Sequence, residues 1–323
     1  MFNFADPLLS SIAERLQDAD PGIRRVAVME LVESPEPEAV DLLVMALSDA
    51  DETVRMEAAK VIDEFDPRDM MDALVGALTA KDENVRNAAA NALADLKDKN
   101  AAPALIAALK EDDPFVLAAI LRSLKQLRIK EVKPHAITLL KHPDASVRRE
   151  AVSVLGYLQE TENLPQLMSI AVGDSDPEVR RTAVGTLVYA EPDQVASALI
   201  AGLADDYWMV RVEAAKGLGR LHILKAVDAL ITATQDSMWQ VQEKAAEAIG
   251  KIGSPRGIPA LSQCLTNPIS NLRKAAVAAA GEIAHPSGMP MVDIALNDND
   301  PDVRKLARWA KEKIQSAKTA VGE

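Results

Sequence analysis

One pattern recurs along the whole chain and constrains its fold more than any other feature. It reads Asp-x-Asp-(Pro/Glu)-x-Val-Arg-x-x-Ala-x-x-x-Leu, and its central aliphatic residue falls at Ile23, Val54, Val85, Val116, Val147, Val179, Val210, Val241, Leu272 and Val303. Eight of the spacings are 31 residues and one is 32. A fixed period of this size marks an array in which each unit buries its apolar surface against its neighbours. At 323 residues the chain also exceeds the size at which one globular core stops growing.

Each unit reads as two helices. Aromatic residues make up only 3% of a chain rich in Ala, Leu and Val, which suits close helix packing and gives little support to strands. Asp20, Asp51, Asp82, Asp113, Asp144, Asp176 and Asp300 sit three residues before the aliphatic, where a carboxylate accepts the free N–H groups of a first helical turn. Pro21, Pro114, Pro177 and Pro301 follow at the helical position where a missing N–H costs nothing. Offsets of four and eight from the aliphatic give Ala27 and Leu31, Ala58 and Ile62, Ala89 and Leu93, Ala151 and Leu155, Ala183 and Leu187, then Ala214 and Leu218. That is one buried stripe per second helix, with a small residue where two helices must come close.

These units resemble HEAT repeats, of the short type also found in phycobilin lyases. The resemblance covers almost the whole chain and implies an all-α, right-handed α-solenoid of about ten hairpins, one array over residues 1–323. Residues 5–17 form its N-terminal capping helix and 301–318 its C-terminal one, where Lys311 replaces the apolar residue at offset eight. The family's arginine is matched by Arg24, Arg55, Arg86, Arg148, Arg180, Arg211, Arg273 and Arg304. The resemblance implies a ladder between these and Asp18, Asp49, Asp174, Asp205, Asp236 and Asp298 of adjacent units. Leu117 and Gln242 are expected to break it.

Charge and cysteine usage narrow the functional classes. Lys and Arg number 36 against 49 Asp and Glu, a net charge of -13 that repels nucleic acid and anionic membranes at long range. The single cysteine, Cys264, cannot form an internal disulfide and no zinc-type cysteine spacing exists, which fits a reducing cytoplasm. The stretch from Met1 to Pro7 lacks a basic region followed by an apolar run, and no segment has the length and apolarity of a transmembrane helix.

Consensus positions encode packing, so function is sought where the repeats stop repeating. The capping carboxylate is lost in three consecutive units, where Tyr207, Met238 and Ile269 replace it. The next positions carry Trp208, followed by Met209, and Trp239. Losing a cap costs about 1 kcal/mol, so three adjacent losses to large apolar groups require a compensating role. Two readings follow for this ridge: a hot spot for a protein partner, or rings that pack on each other or beneath a loop. A smaller departure, Phe115 with Leu117, is either a packing fault or a second contact point.

Offsets two, six and nine point away from the buried stripe, and the resemblance makes this the concave surface. They carry nine basic residues, Arg25, Lys60, Arg122, Lys125, Arg149, Arg181, Lys216, Lys274 and Lys305, against four acidic ones, Asp63, Glu243, Glu247 and Glu312. The strongest candidates for a mildly basic groove facing an acidic protein surface are Arg122, Lys125, Arg149, Arg181 and Lys216. Gly156, Gly185, Gly219, Gly250 and Gly281 lie on or near it and are expected to leave backbone open for close approach.

No catalytic cluster stands out. His135, His142, His222 and His285 are scattered, Cys264 reads as a small core residue, and no phosphate-binding glycine loop or Gly-x-Ser-x-Gly occurs. The His-Glu pairs of HEAT-type di-iron hydroxylases are missing, and HEAT-type DNA glycosylases need a far more basic groove. The expectation is therefore a cytoplasmic protein-binding adaptor, scaffold or assembly factor that needs no metal or cofactor. A lyase-like, tetrapyrrole-handling protein is the enzymatic alternative, because the phycobilin lyases hold an anionic tetrapyrrole in such a groove.

Overall fold

The computed structural model describes residues 4–34, 36, 38–65, 67–95 and 99–321. Residues 1–3 of the N-terminal stretch and the side chain of Asp63 lie outside the described residues. Among the described residues twenty α-helices follow one another in ten pairs. The first ten are α1 (Pro7–Arg15), α2 (Pro21–Glu30), α3 (Glu38–Ala46), α4 (Glu52–Val61), α5 (Pro67–Ala77), α6 (Glu83–Asp95), α7 (Ala102–Ala108), α8 (Pro114–Leu127), α9 (Lys133–Leu139) and α10 (Ala145–Leu158). The second ten are α11 (Leu164–Gly173), α12 (Pro177–Thr186), α13 (Pro192–Gly202), α14 (Trp208–Arg220), α15 (Val227–Ala233), α16 (Trp239–Ile252), α17 (Ile258–Cys264), α18 (Ser270–Ile283), α19 (Met289–Ala295) and α20 (Pro301–Val321). Helix α1 is two residues shorter at each end than the 5–17 expected, and α20 runs three residues past 318.

Contacts divide the chain into two compact units, Met1–Leu158 and Gln159–Glu323. Within the first, α2 packs on α4, α6 on α8, and α8 on α10. Within the second, α12, α14, α16, α18 and α20 follow in the same way, and each odd-numbered helix packs on its own partner.

The helix starts fall where the carboxylates placed them. Asp20, Asp51, Asp113 and Asp176 accept N–H groups of the first turn of α2, α4, α8 and α12. Asp82, Asp144 and Asp300 do the same for α6, α10 and α20. The stripe is also realised: Ala27, Ala58, Ala89, Ala151, Ala183 and Ala214 are all fully buried. Val85 and Ile62 are only half-buried, and Ile23 departs from it further. Its counterparts Val54, Val116, Val147, Val179, Val210, Val241 and Val303 are fully buried, whereas Ile23 is 39% exposed. Val26 and Met29 on the same helix are exposed too.

The arginine ladder has a definite geometry. Arg180 donates through Nε and Nη2 to both carboxylate oxygens of Asp205, 25 residues on, and through Nη1 to the Asp174 carbonyl. Asp205 in turn accepts the N–H of Tyr207, so one carboxylate ties an arginine of the preceding layer to the turn that opens its own second helix. Arg24 with Asp49, Arg211 with Asp236 and Arg273 with Asp298 repeat this pairing at 2.7–2.9 Å. Such bidentate, half-buried pairs fix the register between layers. Leu117 breaks the ladder as expected and is buried, and the position 25 residues on is His142, whose Nδ1 accepts the Asp144 N–H at 3.1 Å.

Gln242 does not break it. Its Nε2 donates to the Asp236 carbonyl as an arginine would, and its Oε1 accepts from Nδ2 of Asn267, which stands where the aspartate belongs. Asn267 also accepts the Ile269 N–H. Arginine and aspartate have been replaced together by their neutral counterparts, and the rung survives without charge.

The glycines at offset nine serve packing, not ligand approach. A Cβ on Gly250 would stand 2.6 Å from the Cα of Ala279, and one on Gly219 would stand 2.8 Å from the Cα of Ala248. On Gly281 it would collide with the Trp309 ring and the Ala310 backbone. These residues let α14, α16, α18 and α20 approach one another at the backbone. Gly156 is likewise buried, while Gly185, at offset six, has ordinary clearance.

Candidate functional site

The ridge is built at the starts of α14, α16 and α18. Tyr207, Met238 and Ile269 occupy the cap positions with no side-chain cap, and their own N–H groups go to Asp205, Asp236 and Asn267. These aspartate and asparagine contacts keep each turn in place although the helix itself starts uncapped. Tyr207, Trp208, Met209, Met238, Trp239 and Ile269 are all half-buried. Next to Trp239, the Oε1 of Gln240 is buried and has no hydrogen-bond partner.

At one end the ridge meets a residue assigned to the groove. Arg181 of α12 reaches the Met209 sulfur with Nη1 at 3.5 Å, and the Tyr207 hydroxyl donates to the same sulfur at 3.3 Å. Glu178 holds Arg181 at 2.9 Å. Burial first, and then Glu178, push the Tyr207 phenol above its ordinary range. Tyr207, Met209 and Arg181 thus form one continuous surface.

The basic groove is less basic than offsets two, six and nine suggest, because acids at neighbouring offsets pair with it. Lys60 meets Glu57 and Lys216 meets Glu213, whereas Lys244, at offset three, neutralises the groove's own acids Glu243 and Glu247. Arg122, Lys125 and Arg149 behave differently: all three converge on a single carboxylate, Glu150, which is 5% exposed. Glu150 sits at offset three, on the side of α10 that faces α8. The position drew no attention in the sequence, although Glu57 and Glu213 recur there.

Groups able to do chemistry remain apart. Cys264 is 3% exposed and burial pushes its thiol up to about 11, so it is held as an inert core thiol. His222 closes α14 in the left-handed region and its Nδ1 contacts the Lys251 carbonyl at 2.6 Å, while His285 accepts the Ser287 N–H. Among the described residues no His, Cys, Asp or Glu group is arranged to hold a metal ion. The open depressions over Arg180 and Asp205, and over Arg273 and Asp298, belong to the ladder. No described helix is long and apolar enough to cross a membrane.

Comparisons with known proteins agree with this architecture. No curated protein matches the chain. Among solved structures, Kap95 in its complex with Nup1 superposes with a TM-score of 0.60 at 16% identity, over 97% of this chain and 52% of that one. This chain therefore spans about half the length of the Kap95 chain. YibA of E. coli matches with a TM-score of 0.55 at 17% identity, covering 98% of this chain and 99% of that one. An engineered protein matches at 0.53 and 22% identity, over 96% and 99%. At such identities the likeness is one of fold. A model of HEAT repeats matches residues 9–80, 45–125, 132–208 and 196–270. With paired helices, capping aspartates and a register ladder matched over most of its length, the chain belongs to the HEAT-repeat family.

Proposed function

We propose that this chain is a protein-binding HEAT-repeat scaffold, adaptor or assembly factor. It holds its partner through the apolar ridge of Tyr207, Trp208, Met209, Met238, Trp239 and Ile269, assisted by the basic residues Arg122, Lys125, Arg149, Arg181 and Lys216. The observation that carries this reading is that the second helices of three successive units, α14, α16 and α18, begin without a side-chain cap, on large apolar residues that remain half-buried.

Each missing cap costs about 1 kcal/mol. A partner that covers the tryptophans buries apolar surface that offsets the missing caps. Aromatic and arginine side chains side by side, as at Tyr207 and Arg181, are the composition of interface hot spots. Structures of similar fold include Kap121 bound to the extreme C-terminus of the phosphatase Cdc14, as well as the Kap95 complex with Nup1. A lone, buried cysteine suits a reducing cytoplasm as the place of action.

The test is an affinity capture from extract of the source cell, comparing the full chain with a Trp208→Asp, Trp239→Asp double variant by mass spectrometry. Helical circular dichroism and the melting midpoint of the variant are measured alongside. A protein retained only by the native chain, with the variant still folded, is the expected result. Identical protein sets from both, or a variant that unfolds, removes the ridge as the binding surface.

A further inference from the structure

Positive charge is concentrated in one stretch of this acidic chain. Residues 114–158, from the start of α8 to the end of α10, hold eight Lys and Arg against three Asp and Glu, a net +5 within a total of -13. Two of the three acids are already engaged, Asp144 as the cap of α10 and Glu150 beneath the cations.

The packing of α8 on α10 gathers these cations. Lys125 Nζ lies 3.3 Å from Glu150 Oε2, and Nη2 of Arg122 and of Arg149 lie 3.6 and 3.7 Å from Oε1. The two arginine side chains are 40% and 38% exposed, and at these distances they are attracted to Glu150 without spending their hydrogen-bond donors on it. Tyr157 carries the arrangement further. Lys125 Nζ stands 5.7 Å from its ring centroid, and the guanidinium of Arg128, in the left-handed residue that closes α8, stands 5.8 Å from the same ring. Four cations are thus set side by side around one buried carboxylate and one exposed ring.

We propose that this face of α8 and α10 binds an acidic peptide segment of a partner protein, whose carboxylates are received by Arg122, Arg128 and Arg149. The proposal deepens the protein-binding reading by naming the chemistry of one partner segment, and it does not depend on the ridge. Guanidinium forks match carboxylates in geometry, and several are spread over two helices, which suits single charges spaced along an extended chain. A phosphate dianion would bring two charges against Glu150, and a long nucleic acid would meet the net -18 carried by the rest of the protein.

The experiment titrates the full chain into a short fluorescein-labelled peptide rich in Asp and Glu and follows anisotropy at low and at physiological salt. Saturable binding that weakens with salt is expected. Arg122→Gln with Arg149→Gln should weaken it about tenfold, and Arg128→Asn, which suits the left-handed backbone, by a smaller factor. Glu150→Gln should tighten it severalfold, since a competing carboxylate is removed; a variant that was merely misfolded would not gain affinity. Trp208→Asp with Trp239→Asp should leave it unchanged, so a failed ridge and a failed basic face are told apart. The proposal is overturned by a lack of saturable binding, by affinity indifferent to the arginine variants, or by tighter binding of inorganic phosphate or a single-stranded oligonucleotide than of the peptide.

Discussion

Gln242 and Asn267 meet through their amides at 3.3 Å, 25 residues apart, in the place where Arg211 meets Asp236 one layer earlier. The pair shows that the ladder depends on hydrogen-bond geometry as much as on charge. Converting it to Gln242→Arg with Asn267→Asp should restore a charged rung. Urea unfolding of both single variants and the double variant should give a coupling energy of about 1 kcal/mol, with the double variant at least as stable as the native chain. A coupling near zero would mean that the rung contributes register without stability.

The charged rungs predict how the protein responds to acid. The Arg273 hydrogen bonds hold the Asp298 carboxyl below its ordinary value. At Asp49, Asp205 and Asp236 burial pushes the other way, but the arginine and the backbone N–H together still leave each carboxyl lowered. A carboxyl lowered in the folded state stabilises the fold above its unfolded pKa of about 3.9, and that stability is lost as pH falls through the folded value. The melting midpoint should therefore be nearly constant from neutrality down to mildly acidic pH and fall steeply below about pH 4. Asp298→Asn should start lower and lose less over that fall.

Gly250 gives a test of close packing. In most helices Gly→Ala gains roughly 1 kcal/mol, but here the new methyl would meet the Ala279 backbone at 2.6 Å. Overpacking against backbone should win, and Gly250→Ala should cost about 1–3 kcal/mol in chemical denaturation. Gly185→Ala, whose nearest neighbours are Glu213 atoms at 3.8 Å, should be neutral or stabilising by about 0.5 kcal/mol.

Restoring a cap separates stability from binding. Met238→Asp recreates the Asp-x-Asp turn found at Asp174 and Asp176, and should raise thermal stability by about 0.5–1 kcal/mol. If the ridge is an interface, the same variant should capture less partner in the affinity experiment. A variant less stable than the native chain would show that Met238 is held by burial within the protein.

Much of this architecture was legible in the sequence because repeats average out local ambiguity. The capping aspartates and the alanines at offset four each state one physical requirement many times over, so helix starts and the buried stripe fall within a residue or two of their expected places. What escaped were features set by pairs of residues in different layers. Gln242 looked like a broken rung because its partner, Asn267, lies one repeat away, and only their joint replacement preserves the bond. Glu150 was overlooked because offset three belongs neither to the stripe nor to the outward face, yet it points across α8 and collects three cations. Ile23 reads like every other core aliphatic, yet it shares an exposed face of α2 with Val26 and Met29, which the repeat pattern does not reveal.

The glycines at offset nine have one more consequence. At Gly219, Gly250 and Gly281 the space between α14, α16, α18 and α20 leaves no room for a methyl group, so the closeness of each of these joints depends on a single residue. Layer spacing in this part of the array is therefore adjustable one methyl group at a time: exchanging glycine for a larger residue at a chosen layer should open that joint and leave its more distant neighbours unchanged, since each layer touches only the next.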